Sequence, residues 1–158
     1  MYLDMKVYIS LKYHDDFANR ERFEKICELA RNHQMIPICM PAVAAENGNS
    51  GLSPDELMRQ TFLELRDSKL VIVDLTEKGV GVGIEAGYAR ARGIPVVAIA
   101  AAGSEISETL VGIAEKVFYY QDWAGLDSFM AELEKQYVPV NDGPAVFKQG
   151  PASKSSFS

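Results

Sequence analysis

An α/β fold built on an open parallel sheet is predicted by three observations. Strand-like apolar runs alternate with segments of helical periodicity along most of the chain. One of those runs, Leu70 to Leu75 (LVIVDL), is almost wholly apolar, as a central strand covered on both faces has to be. A glycine-rich turn follows it directly and leads into a helix. Alternation of this kind implies a Rossmann-like, flavodoxin-like three-layer α/β/α arrangement. Five strands in it take the order 2-1-3-4-5.

Each element has its own signal. Lys6 to Ser10 (KVYIS) reads as the first strand. Asp15 or Asp16 is the expected cap of the first helix, where Phe23, Ile26, Cys27 and Ala30 recur at helical spacing. Met35 to Met40 reads as a second strand, and Pro37 points to an edge position because proline cannot donate to a ladder. Pro41 to Leu52 is loop-like, with an Asn-Gly-Asn-Ser-Gly run fit for a mobile lid. Ser53-Pro54-Asp55-Glu56 starts the next helix with a Ser cap, a Pro at the first helical position and a Glu that closes a capping box. Met58, Phe62 and Leu65 give that helix its apolar face. After the central strand come a helix from about Val82 to Arg92, a strand over Ile94 to Ala102 and a helix over Ser104 to Ala114. A fifth strand over Val117 to Tyr120 and a helix over Leu126 to Tyr137 complete the domain.

The 158 residues are enough for one domain with a sizeable core. Residues 1–137 are read as that domain, and 138–158, rich in Pro, Gly and Ser without periodicity, as a tail that is flexible or draped over it. Twenty-two acidic against sixteen basic residues give a net charge of -6, which argues against tracking a nucleic-acid polymer. A small anion remains compatible, since backbone amides at a helix start hold a phosphate without net positive charge. Cys27 and Cys39 lie among apolar neighbours and read as buried thiols of a reducing compartment, so the expected location is cytoplasmic. No apolar run approaches the roughly 18 residues of a membrane span, and Asp4 and Lys6 interrupt the place of a signal peptide. No His, Cys and Asp set has metal-ligand spacing, so no metal and no cofactor are expected.

In such a sheet ligands bind beyond the strand C-termini where the strand order reverses, here between strands one and three. That selects Tyr8 to His14 and Asp74 to Glu85. Gly79, Gly81 and Gly83 alternate ahead of the predicted helix and let a ligand approach the backbone. Gly81 to Ala86 also fits the dinucleotide pattern G-x-G-x-x-A, but that pattern belongs after the first strand, and the glycines alone can form a tight turn. Glu85 is a carboxylate placed in the first turn of its helix, where it serves either the helix dipole or chemistry. Asp74 is either an acid/base group or the cap of the turn that follows it. Tyr119, Tyr120 and Trp123 can stack on a base or simply pack the rim, and His33 reads as a partner of its helix dipole.

The run VIVDLTEKGVGVGIEAGYARARGIPVV resembles the nucleoside 2-deoxyribosyltransferase family, and most closely its deoxynucleoside 5′-monophosphate N-hydrolase subgroup. The likeness is strongest from about Leu65 to Ile99 and extends through Lys6 to Ile9 and Ser104 to Trp123. The resemblance implies cleavage of the N-glycosidic bond of a (deoxy)nucleoside or its 5′-monophosphate, with hydrolysis favoured over transfer to another base. Glu85 matches the family's nucleophile, whose attack on the anomeric carbon traps an oxocarbenium-like state as a glycosyl-enzyme. Tyr8 matches the tyrosine beside that nucleophile. Gly79 and Gly81, with Gly83 next to them, fall in the loop that holds the 5′ end of the nucleotide. Ser107 is similar to a serine that the subgroup donates to the phosphate across a dimer interface. A homodimer or larger homo-oligomer is therefore implied.

Two departures stand against this. Where the family carries Gly-Pro or Gly-Ser after strand one, the chain has Ser10-Leu11-Lys12-Tyr13-His14, in which Ser10, Lys12 and His14 are the candidate substrate contacts and the last two are the candidate phosphate cations. The family's Asp on the helix before strand three is matched by Thr61, which does not ionise at neutral pH, and Asp74 is the candidate to replace it. These departures keep open a non-catalytic nucleotide-binding or sensing module on the same fold.

Overall fold

A computed structural model describes residues 5–14, 16–40 and 51–140. The expected lid (its residues 41–50), Asp15 and the tail beyond residue 140 lie outside the described residues. Five strands, β1 (Met5–Ser10), β2 (Met35–Ile38), β3 (Leu70–Asp74), β4 (Val96–Ala101) and β5 (Lys116–Tyr120), form one parallel sheet in the order β2-β1-β3-β4-β5. This is the predicted architecture and order. β2 is an edge strand, which accommodates Pro37.

Helices α1 (Arg20–Asn32) and α5 (Trp123–Tyr137) cover one face, and α2 (Pro54–Arg66), α3 (Val80–Ala91) and α4 (Glu108–Ile113) cover the other. The alternation of side chains along β1 sorts the two cores: Met5, Val7 and Ile9 pack toward α1 and α5, while Tyr8 points to the α2–α4 layer. On β3 the same rule sends Leu70 and Ile72 to the first core and Val71 and Val73 to the second. Small side chains at Ala86 and Ala89 let α3 lie close on the sheet. The α2 start is as predicted: Ser53 accepts from the Glu56 amide while the Glu56 side chain accepts from the Ser53 amide, with Pro54 at the first position.

Several boundaries differ from the sequence reading, and three of them matter most here. α1 begins later than a cap at Asp15 or Asp16 requires: its N-cap is Asn19, and Asp16 instead accepts from the Ala18 amide at 3.1 Å. α4 is only the six residues Glu108–Ile113. α3 starts at Val80, two residues early, with Gly79 as N-cap, so Gly81 and Gly83 belong to the helix and Glu85 falls in its second turn. The dipole effect fades beyond the first turn, which removes helix capping as the explanation of Glu85.

Candidate active site

Tyr8 and Ser10 are two residues apart on β1 and project from the same face of the sheet, toward α3. Glu85 faces them from the inner side of α3. The Tyr8 hydroxyl donates to Glu85 Oε1 at 3.0 Å, and the Ser10 hydroxyl donates to Oε2 in a very short contact. All three groups are buried, Glu85 being 8% exposed and Ser10 1%. Burial raises the Glu85 pKa, and the hydrogen bonds from Ser10 and Tyr8 work against that rise by favouring the ionised form. Tyr8 is pushed far above an ordinary phenol, first by burial and then by the charge of Glu85, so it stays a protonated donor at every physiological pH.

Around this carboxylate the glycines leave space. A Cβ at Gly81 meets no atom within 4 Å, and Gly81 stands one turn before Glu85 on the same helix face. A Cβ at Gly79 comes to 3.4 Å from Lys12 Cβ and Cγ, so the aliphatic stem of Lys12 lies across this N-cap. A cavity of about 560 Å³ opens beside the start of α3, walled by Leu75, Lys78, Gly79, Gly83, Ser107 and Thr109 among others. Glu85 is not part of that wall: α3 turns Gly83 to the cavity and Glu85 inward to β1. Ser107 reaches this cavity from its own chain, its hydroxyl 2.7 Å from Thr109 Oγ1.

The remaining candidates go elsewhere. Ser10 turns its buried hydroxyl to Glu85. Asp74 follows Leu70 and Ile72 in the alternation of β3 and points to the α1 side, opposite Glu85. There its Oδ1 accepts from the Thr76 amide at 2.8 Å, the turn-capping role, and Oδ2 lies 3.0 Å from Arg22 Nε. His14 faces Glu77, with Nε2 3.0 Å from Oε1, and Arg22 Nη2 donates to Glu77 Oε2 at 2.6 Å. Burial opposes the ionised form of Glu77, but the bonds from Arg22 and His14 outweigh it and lower its pKa. His14 is thereby held in a network with Glu77 and Arg22. Arg22 had no sequence signal at all, while Glu77 sat inside the glycine-rich segment without a motif to mark it.

Thr61 is buried on α2. Tyr120 stacks on Trp123 with ring centroids 5.5 Å apart, and its hydroxyl lies 3.4 Å from Thr76 Oγ1, while Tyr119 is exposed. His33 meets side chains as well as its helix end: Nδ1 lies 2.9 Å from Glu134 Oε2 and Nε2 lies 2.9 Å from Asp127 Oδ1, both on α5. Among the described residues no group of His, Cys, Asp and Glu can hold a metal ion, and no helix is long and apolar enough to cross a membrane.

Comparison with known proteins adds to the geometry. The chain is 26% identical over 110 residues to a protein of Methanococcoides burtonii provisionally named 2′-deoxynucleoside 5′-phosphate N-hydrolase 1, covering 68% of this chain and 90% of that one. The resemblance to the nucleoside 2-deoxyribosyltransferase family holds. Among solved structures, a 2-deoxyribosyltransferase from Bacillus psychrosaccharolyticus shares the fold with a TM-score of 0.62 at 13% identity, over 77% of this chain and 90% of that one. The CMP N-glycosidase of Clostridium botulinum does so with a TM-score of 0.55 at 16% identity, over 83% and 98%. By their names, the relative and both structural neighbours are enzymes: an N-hydrolase, a deoxyribosyltransferase and an N-glycosidase. No protein-family model matches the chain.

Proposed function

We propose that the protein cleaves the N-glycosidic bond of a (deoxy)nucleoside or its 5′-monophosphate, with Glu85 as nucleophile and hydrolysis favoured over transfer to another base. The observation that carries this reading is one buried carboxylate with a hydroxyl donor on each oxygen, on the inner side of a glycine-bearing helix. A structural carboxylate is not expected to be buried without a cation. A nucleophile aimed at an electron-poor sugar carbon needs this setting. The name of the Methanococcoides burtonii relative supports the substrate class.

The chemistry balances with water alone. A Glu85 oxygen bonds to C1′ as the C1′–N bond breaks, and that electron pair leaves with the base, which takes a proton from solvent. Water then adds through its oxygen to C1′, Glu85 departs as carboxylate, and a proton returns to solvent. Tyr8 orients the nucleophile. Gly79, Gly81 and Gly83 with Ser107 form the binding side, and Lys12 supplies the cation for an anionic substituent. His14 is tied to Glu77 and does not supply it. The ligand-binding domain is residues 1–137 with the remainder a tail, and the proposed setting is cytoplasmic.

A homodimer or larger homo-oligomer is also proposed. The exposed apolar residues Leu63, Val80, Ile84 and Val111, with Val80 83% exposed, lie on the three helices of one face and are the surface that such an association would cover. Sedimentation of the wild type tests this, and a mass of one chain at micromolar concentration overturns it.

Incubation with a panel of deoxy- and ribonucleosides and their monophosphates, followed by chromatography of the free base, tests the activity. Release from at least one substrate, abolished in Glu85→Ala, is the expected result. Nucleotide binding with no release from any of them overturns the reading in favour of a sensing module. Full activity in Glu85→Ala removes the nucleophile assignment alone.

A further inference from the structure

Ser10 is the last residue of β1 and Tyr8 lies two residues deeper in the strand, so their hydroxyl-bearing side chains leave the sheet roughly 7 Å apart along it. The ligand crevice opens at the C-terminal edge of the sheet. Oε1, tied to Tyr8, is therefore the inner oxygen of Glu85, and Oε2, tied to Ser10, is the outer one. Exchanging the two by rotation of the carboxylate breaks two charge-assisted hydrogen bonds at once.

We propose that Ser10 is a positioning residue: its hydroxyl donates to Oε2 of Glu85 and fixes it as the oxygen presented to the sugar carbon. The Ser10 hydroxyl is buried and directed at Glu85, so it acts through that group. The assignment rests on the cleavage reading and adds to it which oxygen forms and later breaks the bond to C1′. When Oε2 bonds to C1′ its charge is lost and the Ser10 donation weakens. When water displaces the sugar the charge returns to Oε2, and Ser10 again stabilises it. The hydroxyl thus assists departure of the carboxylate in the second half of the reaction, the half that completes hydrolysis.

The test compares wild type, Ser10→Ala, which removes the donor, and Ser10→Thr, which keeps it. In protein labelled with carbon-13 glutamate, the Glu85 carboxyl resonance is assigned by its loss in Glu85→Gln and titrated without substrate. Loss of one hydrogen bond to a charged group moves the midpoint up by about one to two pH units in Ser10→Ala, with Ser10→Thr near wild type. The acidic limb of base release moves by the same interval, kcat falls and KM changes little. A titration midpoint in Ser10→Ala equal to that of wild type overturns the proposal. If wild type releases no base from any substrate, the cleavage reading fails by that result, and the unliganded titration still decides whether the Ser10 hydroxyl positions the Glu85 carboxylate.

Discussion

Arg22, in the first turn of α1, places Nε 3.0 Å from Oδ2 of Asp74 at the tip of β3. The same guanidinium donates through Nη2 to Glu77, which also faces His14. One planar cation thus ties a helix on one face of the sheet to the central strand and to the loop that leads to Gly79. Burial works against its charge, but Asp74 and Glu77 outweigh that and raise its pKa.

Asp74 is 1% exposed, so removing its cation leaves a carboxylate buried without compensation. Arg22→Ala is expected to cost about 3 kcal/mol in urea unfolding, the scale for breaking a buried pair from one side. Asp74→Asn costs less, because the amide oxygen still accepts from the Thr76 amide. Equal unfolding midpoints for wild type and Arg22→Ala contradict this account of the network.

The contact of His33 with α5 sets a pH dependence of stability. Burial lowers the His33 pKa, but the hydrogen bonds to Asp127 and Glu134 prevail and raise it above 6.5. A raised folded value means the contribution is complete below the unfolded value near 6.5 and is lost as pH rises through the folded one. Wild type is expected to lose about 0.5–1 kcal/mol of urea stability across that window, and His33→Gln to lose none of it. Parallel slopes in the two proteins between pH 6 and 8.5 exclude this contact as the source.

The fold was legible because its signals are local. Unbroken apolar runs, the Ser53 capping box and Pro37 each report a backbone environment directly, and the alternation of elements then leaves little choice of topology. That Tyr8 stands beside Glu85 was legible from the resemblance to a family. What sequence spacing did not reveal is which face of the sheet a residue uses near a strand end. Asp74 lies opposite Glu85 because β3 alternates toward α1 there, and Ser10 joins Tyr8 because β1 alternates toward α3. Arg22 escaped notice because an arginine in an amphipathic helix has no pattern that marks its partners, which here come from residues 52 to 55 positions away.

Gly83 separates fold from binding. A Cβ there meets nothing within 4 Å, and a glycine inside a helix costs roughly 0.5–1 kcal/mol relative to alanine. Gly83→Ala is therefore expected to stabilise the chain by about that amount. Gly83→Leu, which fills the cavity beside Ser107, is expected to fold as well but to raise KM about tenfold or more, with calorimetry showing the same loss for a non-cleaved nucleotide analogue. Unchanged binding in Gly83→Leu places the ligand elsewhere.

Glu85→Gln carries the opposite pair of effects from most active-site changes. Burial raises the Glu85 pKa despite the bonds from Ser10 and Tyr8, so the folded state binds its proton more tightly than the unfolded chain. The stability linked to this group is complete below the unfolded value near 4.5 and is lost as pH rises through the higher folded value, so at neutral pH the ionised carboxylate is a burden on the fold. A neutral glutamine of the same shape removes that burden. Its oxygen accepts from one hydroxyl, and the other hydroxyl rotates to accept from the amide. Base release is expected to fall by three orders of magnitude or more, while stability at pH 7 rises by about 1 kcal/mol and only the pH dependence that His33 carries remains. Paired unfolding and base-release measurements on the same sample decide it: a glutamine variant less stable than wild type at pH 7 shows that Glu85 is a structural anchor and not a strained nucleophile.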